Sequence, residues 1–344
     1  MMMLMISYMN LEDLKFFDSK KMSQVYDSWP EIAEKSYKDK NLKKLNIKNI
    51  DHIILIGMGG SGSICDVIDS ILSKENLHVK TVKGYALPNT VDDRTLIIFV
   101  SVSGNTDETL TILKNAHNSK AKIAVFTSGG TIREFCKTNN IFFQHIEMIH
   151  SPRSSLVKFL FSILNTLEFI LPISPKDIEE TISYLYTIQT KINSNNLTSS
   201  NDALKLAEWI NGIPCIYYPD GLRSSAIRFK NSLQENAKTH VISEDIIEAC
   251  HNGIVAWEKP SSVNPIIIQG EDDNIKTKER WKIIKQFFEI NKIDYYQINS
   301  VKGSILSKIV SLIYILDFAS IYHSVINEID PSPVPSIDFI KSRL

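Results

Sequence analysis

The stretch T-L-I-I-F-V-S-V-S-G-N-T-D-E-T, residues 95–109, determines the predicted fold of this chain. Its apolar residues 96–100 form a run too short for a helix and rich in β-branched and aromatic side chains, which predicts a buried parallel strand. The hydroxyl-rich turn after that strand opens a predicted helix at Thr106. A helix N-terminus and neighbouring hydroxyl groups together favour an anion. The turn therefore predicts a phosphate site at Ser101, Ser103 and Thr106, although a plain strand-turn-helix joint has a similar composition.

A second loop of the same kind occurs upstream. The apolar strand 52–56 leads into G-M-G-G-S-G-S at 57–63 and then into a helical pattern that continues to about Leu72. Two such loops at the ends of parallel strands can converge on one ligand, so Gly60 and Ser61 join the predicted phosphate site. The loop also fits the dinucleotide fingerprint G-x-G-x-x-G. The next strand, however, ends V-K-G-Y without the ribose-binding carboxylate of a nicotinamide oxidoreductase, which disfavours that class.

Composition limits the classes of protein further. The chain has 344 residues, 43% of them hydrophobic, and a formal net charge of -1 from 38 basic and 39 acidic residues. This balance predicts a globular core and no nucleic-acid-binding or membrane-binding face. The four cysteines lie far apart and the eight histidines form no metal-binding pair, which predicts a cytoplasmic protein without a metal ion. The apolar N-terminus, residues 1–10, lacks a basic start and a cleavage site, so we expect no signal sequence.

The order of predicted elements divides the chain into three parts. Residues 1–45 form an N-terminal helical arm, and residues 46–195 and 196–344 each alternate between strands and helices. This alternation predicts an α/β fold with two three-layer subdomains, each a parallel sheet flanked by helices. The predicted strands are 52–56, 78–84, 96–101, 122–126, 141–145, 213–218, 240–243, 265–269 and 293–298. The predicted helices are 61–74, 106–118, 131–138, 156–169, 172–191, 201–211, 222–237, 275–290 and 302–327.

Three further residues are candidates for chemistry. Arg153 precedes an apolar helix, where it either caps the helix in solvent or contacts an anion. Glu235 lies on the face of helix 222–237 opposite the apolar stripe, together with Arg228, and a solvated glutamate in an i, i+3 pair with Lys238 is the plainer interpretation. His251 follows an acidic segment in a turn, where a structural or solvent-facing role is common. The pattern alone assigns none of the three a function.

Six motifs occur in order along the chain: G-M-G-G-S-G at 57–62, S-V-S-G-N-T-D-E-T at 101–109, P-R at 152–153, Q-E-N-A-K at 234–238, H-N at 251–252 and D-P-S-P-V-P at 330–335. Together they resemble the bifunctional phosphoglucose/phosphomannose isomerase family, which has the sugar isomerase (SIS) fold. The first two occur in many sugar-phosphate-binding proteins, whereas Q-E-N-A-K followed by H-N is much narrower and indicates the activity. The resemblance covers the chain from about Asp51 to Leu344.

The resemblance implies reversible isomerisation of glucose 6-phosphate and mannose 6-phosphate with fructose 6-phosphate through a cis-enediol(ate), without a cofactor. The serine loops would hold the sugar phosphate, and Glu235 would carry the proton between C1 and C2. His251 would assist ring opening across a homodimer interface, and Arg153 would stabilise the enediolate. Lys341 in F-I-K-S-R-L would lie near the pocket. Ser332 stands where tails of the family often have threonine.

Two other classes on the same fold are alternatives. A non-catalytic sugar-phosphate sensor would normally carry a DNA-binding helix-turn-helix, for which the arm 1–45 is short and weakly basic. Another SIS enzyme, such as an aminotransferring or hexulose-phosphate enzyme, is the second alternative. No amidotransferase domain precedes the predicted first sheet, which disfavours the aminotransferring type.

Overall fold

A computed structural model describes residues 9–343 of the chain, and the N-terminal start discussed above, residues 1–8, lies outside the described residues. The described part has two parallel sheets, each flanked by helices, so the predicted α/β fold class is confirmed. The strands are β1 (His52–Ile56), β2 (His78–Val82), β3 (Thr95–Ser101), β4 (Lys122–Thr127), β5 (Phe143–His145), β6 (Ile213–Tyr218), β7 (Ile242–Asp245), β8 (Val263–Gln269) and β9 (Tyr296–Asn299).

Helices connect and cover the strands in both halves of the chain. The helices are α1 (Leu11–Phe17), α2 (Met22–Asp27), α3 (Trp29–Tyr37), α4 (Gly59–Leu72), α5 (Asp107–His117), α6 (Gly130–Thr138), α7 (Leu156–Thr166), α8 (Pro175–Ile192), α9 (Asp202–Trp209), α10 (Arg223–Asn236), α11 (Ile246–Ala249), α12 (Ile275–Ile290), α13 (Ile305–Ile326) and α14 (Pro335–Lys341). The predicted bounds of β1, β6 and α12 are those of the structure, whereas α11 and α14 were not predicted.

The first sheet has the strand order β2-β1-β3-β4-β5, and every neighbouring pair is parallel. All seven residues of the central strand β3 are buried, as expected for a continuous apolar run covered on both faces. A fully buried aliphatic or aromatic side chain contributes about 1.5–3 kcal/mol to folding. Burial of this strand therefore fixes the point at which the hydroxyl-rich turn begins.

The second sheet has the order β7-β6-β8-β9, again with every neighbouring pair parallel. Its strands β7 and β9 begin two and three residues later than predicted. Both are short edge strands with mixed burial, so periodicity defines their ends less sharply than those of the buried strand β6.

The chain divides into two compact units. The first unit comprises Ser28–Ile182 with the first sheet, and the second unit comprises the chain up to Asp27 together with Ser183–Arg343 and the second sheet. The arm predicted over residues 1–45 is therefore shared between the units. Helix α3 packs on α7, where the indole N–H of Trp29 donates to the carbonyl of Ser154 at 3.1 Å, whereas α1 and α2 pack on α13.

Helix α13 is the apolar centre of the second unit. By length and composition it could cross a membrane, but 89% of its apolar window is buried inside the protein. Such burial is that of a core helix. Helices α9 and α10 both pack along it, so α13 determines where the last turn of α10 lies within this unit.

Candidate active site

The two serine-containing loops of the first unit lie next to each other. Strands β1 and β3 are parallel neighbours, so their carboxyl ends lie at the same edge of the sheet. The loop after β1 opens α4, and the loop after β3 opens α5. The backbone N–H of Val102 donates to the hydroxyl of Ser61 at 3.0 Å. This hydrogen bond joins the two loops directly.

The hydroxyl groups of these loops differ in exposure. Ser61 and Ser101 are buried, and the Ser101 hydroxyl accepts the N–H of Gly104 at 3.2 Å, so these two serines shape the loops. Ser103 and Thr106 are half-buried. Thr106 is the N-cap residue of α5, but its hydroxyl makes no capping hydrogen bond and lies 3.3 Å from that of Ser101. The first turn of α5 therefore presents N–H groups without a side-chain cap, which is an arrangement suited to an anion.

A third loop, residues 127–130, supports the loop after β3. Gly104 has a φ of +72°, and a Cβ atom at this position would overlap the carbonyl oxygen of Gly129. The side-chain oxygen of Asn105 accepts the N–H of Thr131 at 2.9 Å. Because the backbones approach so closely, only glycine fits at position 104.

Arg153 lies beside the first loop through its backbone. A Cβ atom on Gly60 would be 2.9 Å from the carbonyl carbon of Pro152 and 3.0 Å from the backbone nitrogen of Arg153. The side chain of Arg153 is buried, with 4% exposure. The interpretation as a solvated capping residue is therefore wrong. A buried guanidinium keeps its charge, so Arg153 adds a positive charge to this part of the first unit.

Glu235 lies in the last turn of α10 in the second unit and is half-buried. The ammonium group of Lys238 donates to the backbone carbonyl of Glu235 at 2.6 Å and to that of Pro333 at 2.9 Å. The plainer interpretation of the sequence is a solvated glutamate in an i, i+3 pair with Lys238. In the structure Glu235 lies at a helix end that contacts, through Lys238, the proline-rich segment near the C-terminus.

His251 and Lys341 are exposed residues of the second unit. His251 lies in the turn after α11, and its backbone N–H donates to the backbone carbonyl of Glu248 at 2.9 Å. Asn252 also contacts Glu248, because its side-chain amide donates to that carboxylate at 2.7 Å. Lys341 is the last residue of α14. The loop residues and Arg153 thus belong to the first unit, whereas Glu235, His251 and Lys341 belong to the second.

Arg228 lies on the same side of α10 as Glu235, as expected, but Arg228 itself is buried rather than solvated. Its exposure is 2%, and its guanidinium pairs with the carboxylate of Asp317 at 2.7 Å. Burial alone lowers the pKa of Arg228, and the Asp317 charge more than offsets this, so the pKa is raised. The sequence feature that pointed to this ion pair was Asp317, an acidic residue inside an apolar helix, because a buried carboxylate needs a cationic partner.

The architecture and the sequence both match proteins of the SIS class. A family model described as the SIS domain matches residues 46–171. A hypothetical protein from Thermus thermophilus has a similar structure, with a TM-score of 0.73, 15% identity, and coverage of 96% of this chain and 92% of that one. The C-terminal domain of glucosamine-fructose-6-phosphate aminotransferase from Francisella tularensis gives a TM-score of 0.66 at 14% identity, over 89% and 96% of the two chains. The fold is therefore that of SIS proteins.

The second half of the chain and the curated relatives define the family. The model of the bacterial phospho-glucose isomerase C-terminal SIS domain matches residues 199–344. The bifunctional phosphoglucose/phosphomannose isomerase of Caldicellulosiruptor bescii is 31% identical over 92% of this chain and 96% of that protein. The protein of the same description from Aquifex aeolicus is 28% identical over 85% and 90%. The chain belongs to the bifunctional phosphoglucose/phosphomannose isomerase family. A D-glucosamine-6-phosphate 4-epimerase of Sulfolobus acidocaldarius is also related, with 28% identity over 73% of this chain and 78% of that protein.

Proposed function

We propose that this protein is a cytoplasmic enzyme that interconverts glucose 6-phosphate and mannose 6-phosphate with fructose 6-phosphate. Membership of the family supports the activity. The observation that carries the proposal is the hydrogen bond between Ser61 and Val102, because it brings two anion-binding loops to one edge of the first sheet. A sugar phosphate has the charge that such loops favour.

In this proposal the phosphate group is bound by the two loops. Ser103 and Thr106 donate hydrogen bonds from the half-buried side chains, together with the N–H groups at the start of α5. Gly60, Ser61 and Ser101 form the walls of the phosphate site, and the two buried serines keep its shape. Binding of this kind is uniform, since the phosphate group does not change during isomerisation.

Isomerisation between an aldose and a ketose needs a base that takes a proton from one carbon and returns it to the next. We assign this step to the carboxylate of Glu235. His251 of the partner subunit moves a proton at the ring oxygen during ring opening, as a general acid or base. Arg153 stabilises the negative charge of the cis-enediolate, and Lys341 lies near the pocket. Rotation about C2–C3 before the proton returns lets both aldoses give the same ketose. These steps need no metal or other cofactor.

The test is a coupled assay that starts from fructose 6-phosphate, with both aldose products identified. We expect Glu235→Gln to lower kcat by about 10²–10⁴-fold, as for loss of a general base, with substrate affinity largely kept. Glu279→Gln, at an exposed surface pair with Lys276, is the matched control and should behave as wild type. A Glu235→Gln enzyme with wild-type kcat would reject the base assignment. Mixing subunits that carry Glu235→Gln with subunits that carry His251→Ala should restore activity only when the histidine acts across the dimer.

A second candidate is a different reaction on a hexose phosphate. The related 4-epimerase of Sulfolobus acidocaldarius favours testing it. Incubation with glucosamine 6-phosphate, followed by analysis of the product, separates the two activities. A protein that binds fructose 6-phosphate but converts neither substrate would instead be a non-catalytic sugar-phosphate-binding protein.

A further inference from the structure

The side chain of Lys238 connects two distant segments of the second unit. Lys238 directly follows the last turn of α10 and has a φ of +56°, the left-handed conformation in which helices often end. Its ammonium group donates to the carbonyl oxygens of Glu235 at 2.6 Å and Asn236 at 3.3 Å. It also donates to the carbonyls of Asp330 at 3.5 Å and Pro333 at 2.9 Å, which lie more than ninety positions away. One cation thus contacts both the end of α10 and residues 330–335, here called the proline-rich tail.

The composition of the proline-rich tail explains why a lysine is suited to this position. Every second residue from 331 to 335 is proline, which has a carbonyl acceptor but no N–H donor. With few N–H donors of its own, the segment leaves carbonyl groups such as that of Pro333 to be satisfied by donors elsewhere. A lysine ammonium has three donors and no acceptor, so it complements a cluster of carbonyl oxygens. The last turn of α10 also has carbonyl groups without partners in the helix.

The start of the proline-rich tail has its own anchors. The carboxylate of Asp330 accepts a hydrogen bond from the hydroxyl of Ser19 at 2.5 Å and from the N–H of Ser332 at 2.8 Å. These contacts hold the first residues of the tail, but they do not reach α10. Lys238 joins the later part of the tail, at Pro333, to the carbonyl of Glu235. Helix α14, which ends in Lys341, follows directly.

We propose that Lys238 is a positioning residue that clamps the proline-rich tail to the end of α10, and so keeps α14 in a fixed place relative to Glu235 during isomerisation. This inference rests on the proposed function. Lys238 acts through the backbone carbonyl of Glu235 and through the tail. Its loss should therefore affect turnover more than substrate binding.

The test compares Lys238→Met with Lys292→Met. Met keeps the length of the apolar stem and removes the ammonium group. Lys292 is an exposed residue with the same φ of +56°, just after α12, so its variant has the same change at the same backbone conformation. Circular dichroism and the urea midpoint establish that each variant is folded, and Lys238→Gln provides a second uncharged variant. Two readouts are needed: amide hydrogen exchange of residues 334–343, and kcat and KM for fructose 6-phosphate.

For Lys238→Met we expect exchange of the tail and α14 amides to be about tenfold faster and kcat about tenfold lower, with KM within about twofold. This corresponds to the low end of the range for a hydrogen bond to a charged group, because the lysine is exposed. Lys292→Met should stay within about twofold in all three quantities. Unchanged exchange in Lys238→Met, or faster exchange with wild-type kcat, would overturn the inference. Failure of the proposed function is distinguishable, since the wild-type protein itself would then convert no hexose phosphate.

Discussion

The ion pair between Arg228 and Asp317 allows a quantitative prediction of stability. The Asp317 carboxylate is 0% exposed and accepts from the guanidinium of Arg228 at 2.7 Å, from the hydroxyl of Tyr26 at 3.0 Å and from that of Ser232 at 2.6 Å. These contacts join α2, α10 and α13 inside the second unit. We consider Asp317→Asn, which keeps the shape of the side chain and removes its charge.

The expected cost follows from the buried cation that remains. In Asp317→Asn the guanidinium of Arg228, with 2% exposure, keeps its charge because arginine does not lose its proton near neutral pH. Removal of one partner of a buried ion pair costs about 3–5 kcal/mol. The double variant Arg228→Met/Asp317→Leu removes both charges and should recover most of this loss, since a packed apolar pair of similar volume is close to neutral.

Urea unfolding followed by tryptophan fluorescence measures this difference. Three of the four tryptophans, Trp209, Trp257 and Trp281, lie in the second unit, so the signal reports mainly on the unit that is changed. With a slope of about 2 kcal/mol per M, the loss should lower the urea midpoint by roughly 2 M. The surface control Glu279→Gln should cost less than about 1 kcal/mol. Asp317→Asn with the stability of this control, or a double variant no more stable than Asp317→Asn, would refute the reasoning.

Two further predictions concern the phosphate loop and pH. Gly104→Ala should weaken binding of fructose 6-phosphate at least about tenfold in calorimetry, because its Cβ would overlap the carbonyl of Gly129 and distort the loop. A loss of about 1.4 kcal/mol of binding free energy lowers affinity tenfold. Gly221→Ala, whose Cβ would meet no atom within 4 Å, should bind normally, and equal affinity of both variants would contradict the geometry. Burial lowers the pKa of His323, although the contact of its ring with the Ala207 carbonyl opposes this. As the pH falls, His323 is therefore protonated in the unfolded chain before it is protonated in the folded protein. The free energy of unfolding should therefore fall as pH drops below about 6.5, by up to about 1.4 kcal/mol per pH unit. If the stability of wild type and of His323→Gln depends on pH in the same way, His323 is not the cause of this fall.

The sequence predicted the parts of the fold that depend on one segment at a time. Strands β1 and β6 and helix α12 have the predicted bounds, because a short apolar run and an amphipathic repeat are properties of consecutive residues. The two loops were predicted for the same reason, since each consists of glycine and hydroxyl residues between a strand and a helix. Their direct contact through Ser61 and Val102 followed from one rule about parallel sheets.

The sequence did not predict contacts between distant segments whose residues look ordinary on their own. Lys238 has the pattern of a surface lysine next to Glu235, and nothing near it indicates that its ammonium group contacts the carbonyl of Pro333. Burial of Arg153 was equally hidden, because the same P-R pair fits a solvated turn. The contact of Lys238 depends on how the end of α10 and the proline-rich tail pack in space, and the spacing of these segments along the chain carries no period.

The polar residues between α10 and α13 show how stability and the proposed chemistry are related. Arg228 contacts Asp317, and two turns later the amide of Asn236 donates to the hydroxyl of Ser320 at 2.8 Å. Because both pairs must form at once, α10 cannot slide or rotate along α13 without burying an unpaired charge or amide, which is costly. Glu235 lies between these two contacts in the sequence, and its charge is one of those that raise the pKa of Arg228. The buried pairs therefore fix the position of the proposed base from the core side of α10, just as Lys238 fixes it from the exposed end.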